Sequence, residues 1–86
     1  MSARLTWEAW GNRPGRRYAL LADGKRTNFV VAHCGHPTAH WPYYISRERG
    51  DGFCETILAE NGRGFRLLAY AKTHAEALYT EACSDD

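Results

Sequence analysis

No stretch of this chain approaches the length of a bilayer span. The longest apolar runs are Phe29-Val30-Val31-Ala32 and Leu67-Leu68-Ala69-Tyr70-Ala71, far short of the ~20 residues a transmembrane helix needs. The N-terminus, Met1-Ser2-Ala3-Arg4, leads into alternation rather than an apolar core segment, so no signal peptide is read there. Cysteine is scarce and odd in number. Cys34, Cys54 and Cys83 are widely spaced and form no Cys-x-x-Cys pair, unlike the even, dense pattern of a secreted disulfide scaffold. Reduced thiols and a cytoplasmic setting are expected, with Cys54 and Cys83 read as small hydrophobes.

The usual catalytic signatures are missing too. There is no P-loop and no dinucleotide glycine fingerprint, and Gly62-Arg63-Gly64 reads as a turn. Glu48, Asp51 and Glu55 fall around a polar connection and read as solvated rather than as a paired acid and base. Cys34 stands between His33 and His36. Adjacent strand positions point to opposite faces, however, and so short a chain has little room for a pocket of several hundred Å³. With no complete catalytic constellation, the protein is expected not to be an enzyme.

What is present fits one small globular domain spanning residues 1–86, with residues 83–86 as a frayed tail. Of the 86 residues, 44% are apolar and 13% aromatic, too apolar for a disordered chain. Three Trp, five Tyr and three Phe give this thin core large buried area at modest side-chain entropy cost. Charge is unevenly spread. Residues 1–50 hold eight Lys/Arg against three acids, net +5, while residues 51–86 hold three against seven, net −4. Such asymmetry marks either a polyanion-facing half or two halves that attract each other when folded.

Periodicity predicts an α+β fold. Leu5, Trp7 and Ala9 alternate with Thr6, Glu8 and Trp10, a strand that ends at the Gly11-Asn12-Arg13-Pro14-Gly15 break. Tyr18–Ala22 and Asn28–His33 read as a hairpin through Asp23-Gly24. A two-residue loop sets Tyr18 opposite Phe29, and a four-residue loop sets Leu20 opposite Phe29. Both put Tyr18, Leu20, Phe29 and Val31 on one core face. Trp41-Pro42-Tyr43-Tyr44-Ile45 reads as an edge strand because Pro42 cannot donate to a ladder. Phe53–Ala59 and Phe65–Tyr70 read as a second hairpin around Asn61-Gly62-Arg63-Gly64. Thr73 and Glu76 form a T-x-x-E capping box. The stripe Ala75, Leu78, Tyr79 and Ala82 follows it, giving a helix of roughly ten residues that must dock to be stable. The expected architecture is an antiparallel meander of about five strands with one C-terminal helix on one face.

Three groups of residues could carry function. One helix covers one sheet face, so aromatic residues should remain exposed. Trp10, Trp41, Tyr43 and Tyr44, rimmed by Arg, have the composition of a protein-interface hot spot. Arg13, Arg16, Arg17, Lys25 and Arg26 would form a nucleic-acid-binding patch if their loops gather at one end of the first three strands. His33, Cys34, His36 and His40 offer zinc-type donors, but without the second ligand pair of a structural site. The alternative for that segment is a tight loop, with Gly35 and Pro37 shaping the backbone and Thr38 and the His residues bonding local amides. A non-enzymatic module for a protein partner is the preferred reading, with nucleic acid second and zinc third. No membrane role is expected.

The segment Val31-Ala32-His33-Cys34-Gly35-His36-Pro37-Thr38-Ala39-His40-Trp41-Pro42-Tyr43-Tyr44 resembles a pattern in small uncharacterised proteins of bacteria, phages and prophages. The resemblance covers about a sixth of the chain and carries no fold, activity or residue role. It implies a bacterial or phage cytoplasmic setting, where short proteins often act by binding a host component.

Overall fold

The computed structural model describes residues 4–10, 16–36, 38–50, 52–59 and 62–83. Arg13, among the nucleic-acid candidates, lies outside the described residues, as do Pro37 and the tail beyond residue 83. Five strands, β1 (Leu5–Trp10), β2 (Arg17–Ala22), β3 (Lys25–His33), β4 (Tyr43–Glu48) and β5 (Cys54–Ile57), are followed by one helix, α1 (Leu68–Cys83). The strands pair in chain order, and every neighbouring pair is antiparallel. The expected α+β meander with a single C-terminal helix is the observed architecture. No helix among the described residues is long and apolar enough to cross a membrane.

The Asp23-Gly24 turn is the two-residue kind. Ala22 stands opposite Lys25, and Asp23 and Gly24 take φ of 52° and 79°, the pair of positive angles a type I′ turn demands. The turn is tied to β1 as well, since Arg4 N–H donates to Asp23 Oδ1 at 3.0 Å and Asp23 N–H donates to the Arg4 carbonyl at 2.9 Å. Beyond Leu21 the register shifts by two residues, so that Ala19 faces Val30 and Tyr18 faces Val31. Neither register read from sequence holds along the whole hairpin. The short turn sets one end, and the longer-loop register returns beyond the irregularity. Because the side-chain period is two, a two-residue shift leaves the apolar face intact. That is why Leu20, Phe29 and Val31 are buried together, with Tyr18 packed at their side.

Thr27 holds the irregularity in place. Its Oγ1 donates to the Leu20 carbonyl at 2.8 Å and accepts the Phe29 amide at 3.2 Å, replacing ladder bonds that the bulge removes.

β4 is not the edge strand expected of it. It pairs with β3 on one side and with β5 on the other. Pro42 lies just before its first residue, where the missing donor costs the ladder nothing. The segment read as a last strand, Phe65–Tyr70, contributes one antiparallel bridge, Phe65 to Tyr43, and then enters the helix. α1 therefore starts five residues before the expected capping box, with the Leu67 carbonyl accepting the Ala71 amide. Thr73 is an exposed mid-helix residue and caps nothing. The true stripe begins two turns earlier, at Leu68, Ala71 and Ala75, and continues to Leu78 and Tyr79.

Ala71 and Ala75 are fully buried against the sheet. Their small side chains let the helix axis approach the strands closely. Around that contact, larger groups close the rest of the face. The Tyr79 ring meets Phe29 edge-on at 6.3 Å. Trp7 Nε1 donates to Glu76 Oε2 at 2.7 Å, and Lys72 Nζ sits 4.8 Å over the Tyr18 ring and 5.6 Å over the Trp7 ring.

Replacing Thr27 with Val keeps the shape but removes both side-chain bonds of the bulge. It should cost about 1–3 kcal/mol, the usual penalty for part-buried backbone groups left unpaired, read as a lower urea midpoint. Thr27→Ser should restore most of the loss. A Val variant as stable as the wild type would remove the hydroxyl from this role.

Candidate functional site

The opposite sheet face, left open by the helix, shows how the chain handles its uncovered side. By register it carries Ala19, Leu21, Val30, Ala32, Tyr44 and Ser46. Ala19 and Ala32 are buried among their neighbours, and Leu21, Val30 and Tyr44 are half-buried. Small residues at the centre, rather than exposed rings, are the solution. All five exposed large hydrophobic residues among those described, Trp41, Phe53, Leu58, Leu67 and Tyr70, lie between residues 41 and 70.

Three of them, Trp41, Leu67 and Tyr70, lie just before β4 and around the start of α1, two segments joined by the Tyr43–Phe65 bridge. After β5, Ala59 N–H donates to the Arg63 carbonyl at 2.8 Å. The chain then crosses the start of β4 at Gly64. A Cβ built there would stand 2.4 Å from the Trp41 carbonyl oxygen and 2.6 Å from that of Tyr43, so only glycine permits the crossing. Phe65 and Tyr43 exchange both backbone bonds, at 2.6 and 3.1 Å. Their reciprocal pairing closes a clasp over which Phe65 is buried, with His74 tilted against its ring at 5.2 Å. Outside the clasp, the Arg63 guanidinium lies 4.6 Å from the centre of the Trp41 ring, and His40 meets that ring edge-on at 5.7 Å. Trp41 remains 40% exposed, and Leu67 and Tyr70, just beyond the clasp, are 48% and 61% exposed. Arg63 and Arg66 are exposed beside them.

The interface candidates are thereby separated. Tyr43 and Tyr44, adjacent on β4, point to opposite faces, with Tyr43 packed on the core and edge-on to His33 at 5.1 Å. Trp10 ends β1, opposite Arg17. Of the three whose side chains are described, Trp41 alone belongs to the exposed corner; the Trp10 side chain lies outside the described residues. Leu67 and Tyr70 were missed because the apolar run 67–71 reads as strand. Helical spacing from Leu68 would have turned them outward.

The basic candidates are also divided. Arg16 and Arg17 stand at the start of β2, while Lys25 and Arg26 stand across the Asp23-Gly24 turn at its other end. Five residue steps of strand separate them, about 17 Å. They do not gather at one end as a common phosphate-binding patch requires, because successive connections of a meander alternate between the two ends of the sheet.

The His/Cys segment is engaged locally. His33 Nδ1 accepts the Gly35 amide at 2.9 Å, and His36 Nδ1 pairs with Thr38 Oγ1 at 3.0 Å. Gly35 takes a φ of 86°. His40 belongs to the Trp41 corner, and Cys34 is exposed. Among the described residues no group of three His, Cys, Asp or Glu is placed to hold a metal ion. These contacts are those of the tight loop. Cys54 is a free, exposed thiol on β5 rather than a small core residue, because β5 ends the sheet and the helix does not reach its open face.

Glu55 pairs with Arg47 directly across β4 and β5, and with Arg49 at 3.4 Å. The Arg47 hydrogen bond, helped by Arg49, holds the Glu55 carboxyl below the ordinary value near 4.5. The chain matches no protein-family model, and no curated protein or solved structure is significantly similar to it.

Two outcomes follow from this geometry. Gly64→Ala should lower stability by about 1–3 kcal/mol through backbone displacement at the crossing, seen as a drop in the urea midpoint. An unchanged midpoint would mean that the clasp is not tight in solution. For Glu55, folding lowers the carboxyl's affinity for protons. Its contribution is therefore present above the unfolded value and lost as pH falls through the folded one. Melting temperature should thus fall on acidification less steeply for Glu55→Gln than for the wild type, with parallel curves excluding the ion pair.

Proposed function

We propose that the protein is a non-enzymatic binding module that engages a protein partner through the corner built on Trp41, Leu67 and Tyr70. The observation that supports this most is the Trp41–Arg63 stack. It leaves two-fifths of an indole in solvent, and Leu67 and Tyr70, which follow the Tyr43–Phe65 bridge in the chain, are exposed as well. Trp, Tyr and Arg are the residue types that dominate interface energetics, and a stacked Arg holds the indole in one orientation before any partner arrives. Arg63 and Arg66 give the rim a positive sign, which suits a partner surface with acidic residues around an apolar centre.

The nucleic-acid reading loses its support with the division of Arg16 and Arg17 from Lys25 and Arg26. A zinc site in the His/Cys segment has no geometric argument beyond its donor types.

The test is capture from host lysate, with and without nuclease, using wild type and a Trp41→Ala, Tyr70→Ala double variant. A discrete protein that survives nuclease and is lost by the folded double variant is the expected result. Capture abolished by nuclease, or retained by the variant, would overturn the reading.

A further inference from the structure

The outer side of β5 is the second feature that calls for an occupant. β5 ends the sheet, and among the described residues no strand pairs with its outer side. Apolar side chains flank it at both ends. Phe53 is 71% exposed and Leu58 43% exposed. An unpaired edge bracketed by exposed apolar groups is a template for another strand.

Which backbone groups face outward follows from the register. Arg49 N–H donates to the Phe53 carbonyl at 2.7 Å. Counting in twos along the antiparallel ladder, Arg47–Glu55 and Ile45–Ile57 are then the hydrogen-bonded pairs, while Glu48–Cys54 and Ser46–Thr56 are not. The Tyr43–Phe65 exchange fits the same alternation, since Tyr43 is two residues from Ile45. The amides and carbonyls of Cys54 and Thr56, and of Leu58 beyond the strand, therefore point away from β4.

We propose that a second copy of this chain pairs its β5 antiparallel with that outer edge, with the two Thr56 residues on the two-fold axis. The two five-stranded sheets then become one. Self-complementarity is what selects this occupant. In this register Thr56 meets Thr56 of the second copy, and Cys54 meets Leu58 of the second copy. All of these carry outward-facing backbone groups, so two hydrogen bonds form at the axis and two in each flanking pair. Phe53 comes opposite Ala59 of the second copy, and Glu55 opposite Ile57. Apolar groups thus cover apolar groups at the Phe53–Ala59 and Cys54–Leu58 pairs, and each Glu55, although opposite an Ile57, stays with its own Arg47 and Arg49.

The neighbouring register, centred on Glu55, would also pair outward groups. It sets the two carboxylates directly across from each other, which is unfavourable. The register centred on Cys54 leaves Leu58 uncovered. The axis stands perpendicular to the sheet, so both helices lie on the same side. The paired segment, residues 53–59, spans about 20 Å.

Light scattering or sedimentation of the whole chain over a wide concentration range is the test. The mass should double with concentration, and Thr56→Pro should remain monomeric throughout. Thr56 makes no backbone bond to β4, so the proline variant should keep the wild-type circular dichroism and melting curve. Should that variant unfold, Leu58→Lys serves in its place, read by amide exchange at Thr56. Protection there should rise with concentration in the wild type and be lost in the Lys variant. A monomer at every concentration, a dimer that survives in either folded variant, or a Thr56 amide indifferent to concentration would each overturn the proposal.

Discussion

A single helix must bury one face of a five-stranded sheet, and the close contact of Ala71 and Ala75 with the sheet makes this possible. Two alanines carry little apolar area. What they provide is proximity, which brings the flanks of α1 within reach of strands that the helix axis does not cross. Tyr79 then reaches Phe29, and Leu68 and Leu78 pack around the same centre. On the β1 side the gap is wider, and amphipathic groups bridge it. The Trp7 indole is covered by the Lys72 ammonium and bonded to Glu76. On the β5 side the helix reaches still less, and the Arg47–Glu55 pair takes the place of apolar packing. The face changes from apolar at its centre to aromatic and ionic at its margins because one cylinder covers a twisted sheet unevenly.

The same unevenness explains the distribution of exposed apolar groups. The open face fills its centre with Ala19 and Ala32, so it needs no second helix. At the β4–β5 side the chain has only the Gly64 clasp to close the sheet before α1 begins. Arg66 and Leu67 supply no side-chain cap, and the first turn holds no acidic residue. The helix start is held by tertiary pairing of Phe65 with Tyr43 rather than by local capping. Leu67 and Tyr70 remain outside as a result.

The parts of the fold legible in sequence are those governed by short-range rules. Asp23-Gly24 demanded a turn, and alternation assigned Tyr18, Leu20, Phe29 and Val31 to the core face whichever register was taken. The bulge at Thr27 was not legible. It depends on a hydroxyl that bonds across the strands, and only the shifted register reveals it. Thr73 and Glu76 had the spacing of a capping box, yet Glu76 is drawn to the Trp7 indole 69 residues away in sequence. A local motif gave way to a distant partner. The supposed gathering of basic residues failed for a topological reason that the meander itself contains, since Arg17 and Lys25 bracket β2. The corner site was half legible. Trp41 was legible as an aromatic residue that one helix would leave uncovered, whereas Tyr70 was hidden in a run that reads as strand until the helix phase is fixed at Leu68.

The two surfaces inferred for this chain occupy different backbone territory, and that has a consequence for binding strength. The Trp41 corner is built from side chains at the start of β4 and α1, while the β5 edge offers main-chain groups at Cys54, Thr56 and Leu58. Strand addition at β5 would use main-chain groups and none of the Trp41, Leu67 or Tyr70 side chains. Because the two-fold axis is perpendicular to the sheet, it would carry both corners on one rigid assembly. A weak corner contact would then act twice against a partner that presents two copies of its epitope. Effective concentration, rather than any new contact, would supply the gain, provided the spacing of the corners matches the partner. A monomeric partner would see no such gain, so the valency of the partner decides whether the edge matters to the corner.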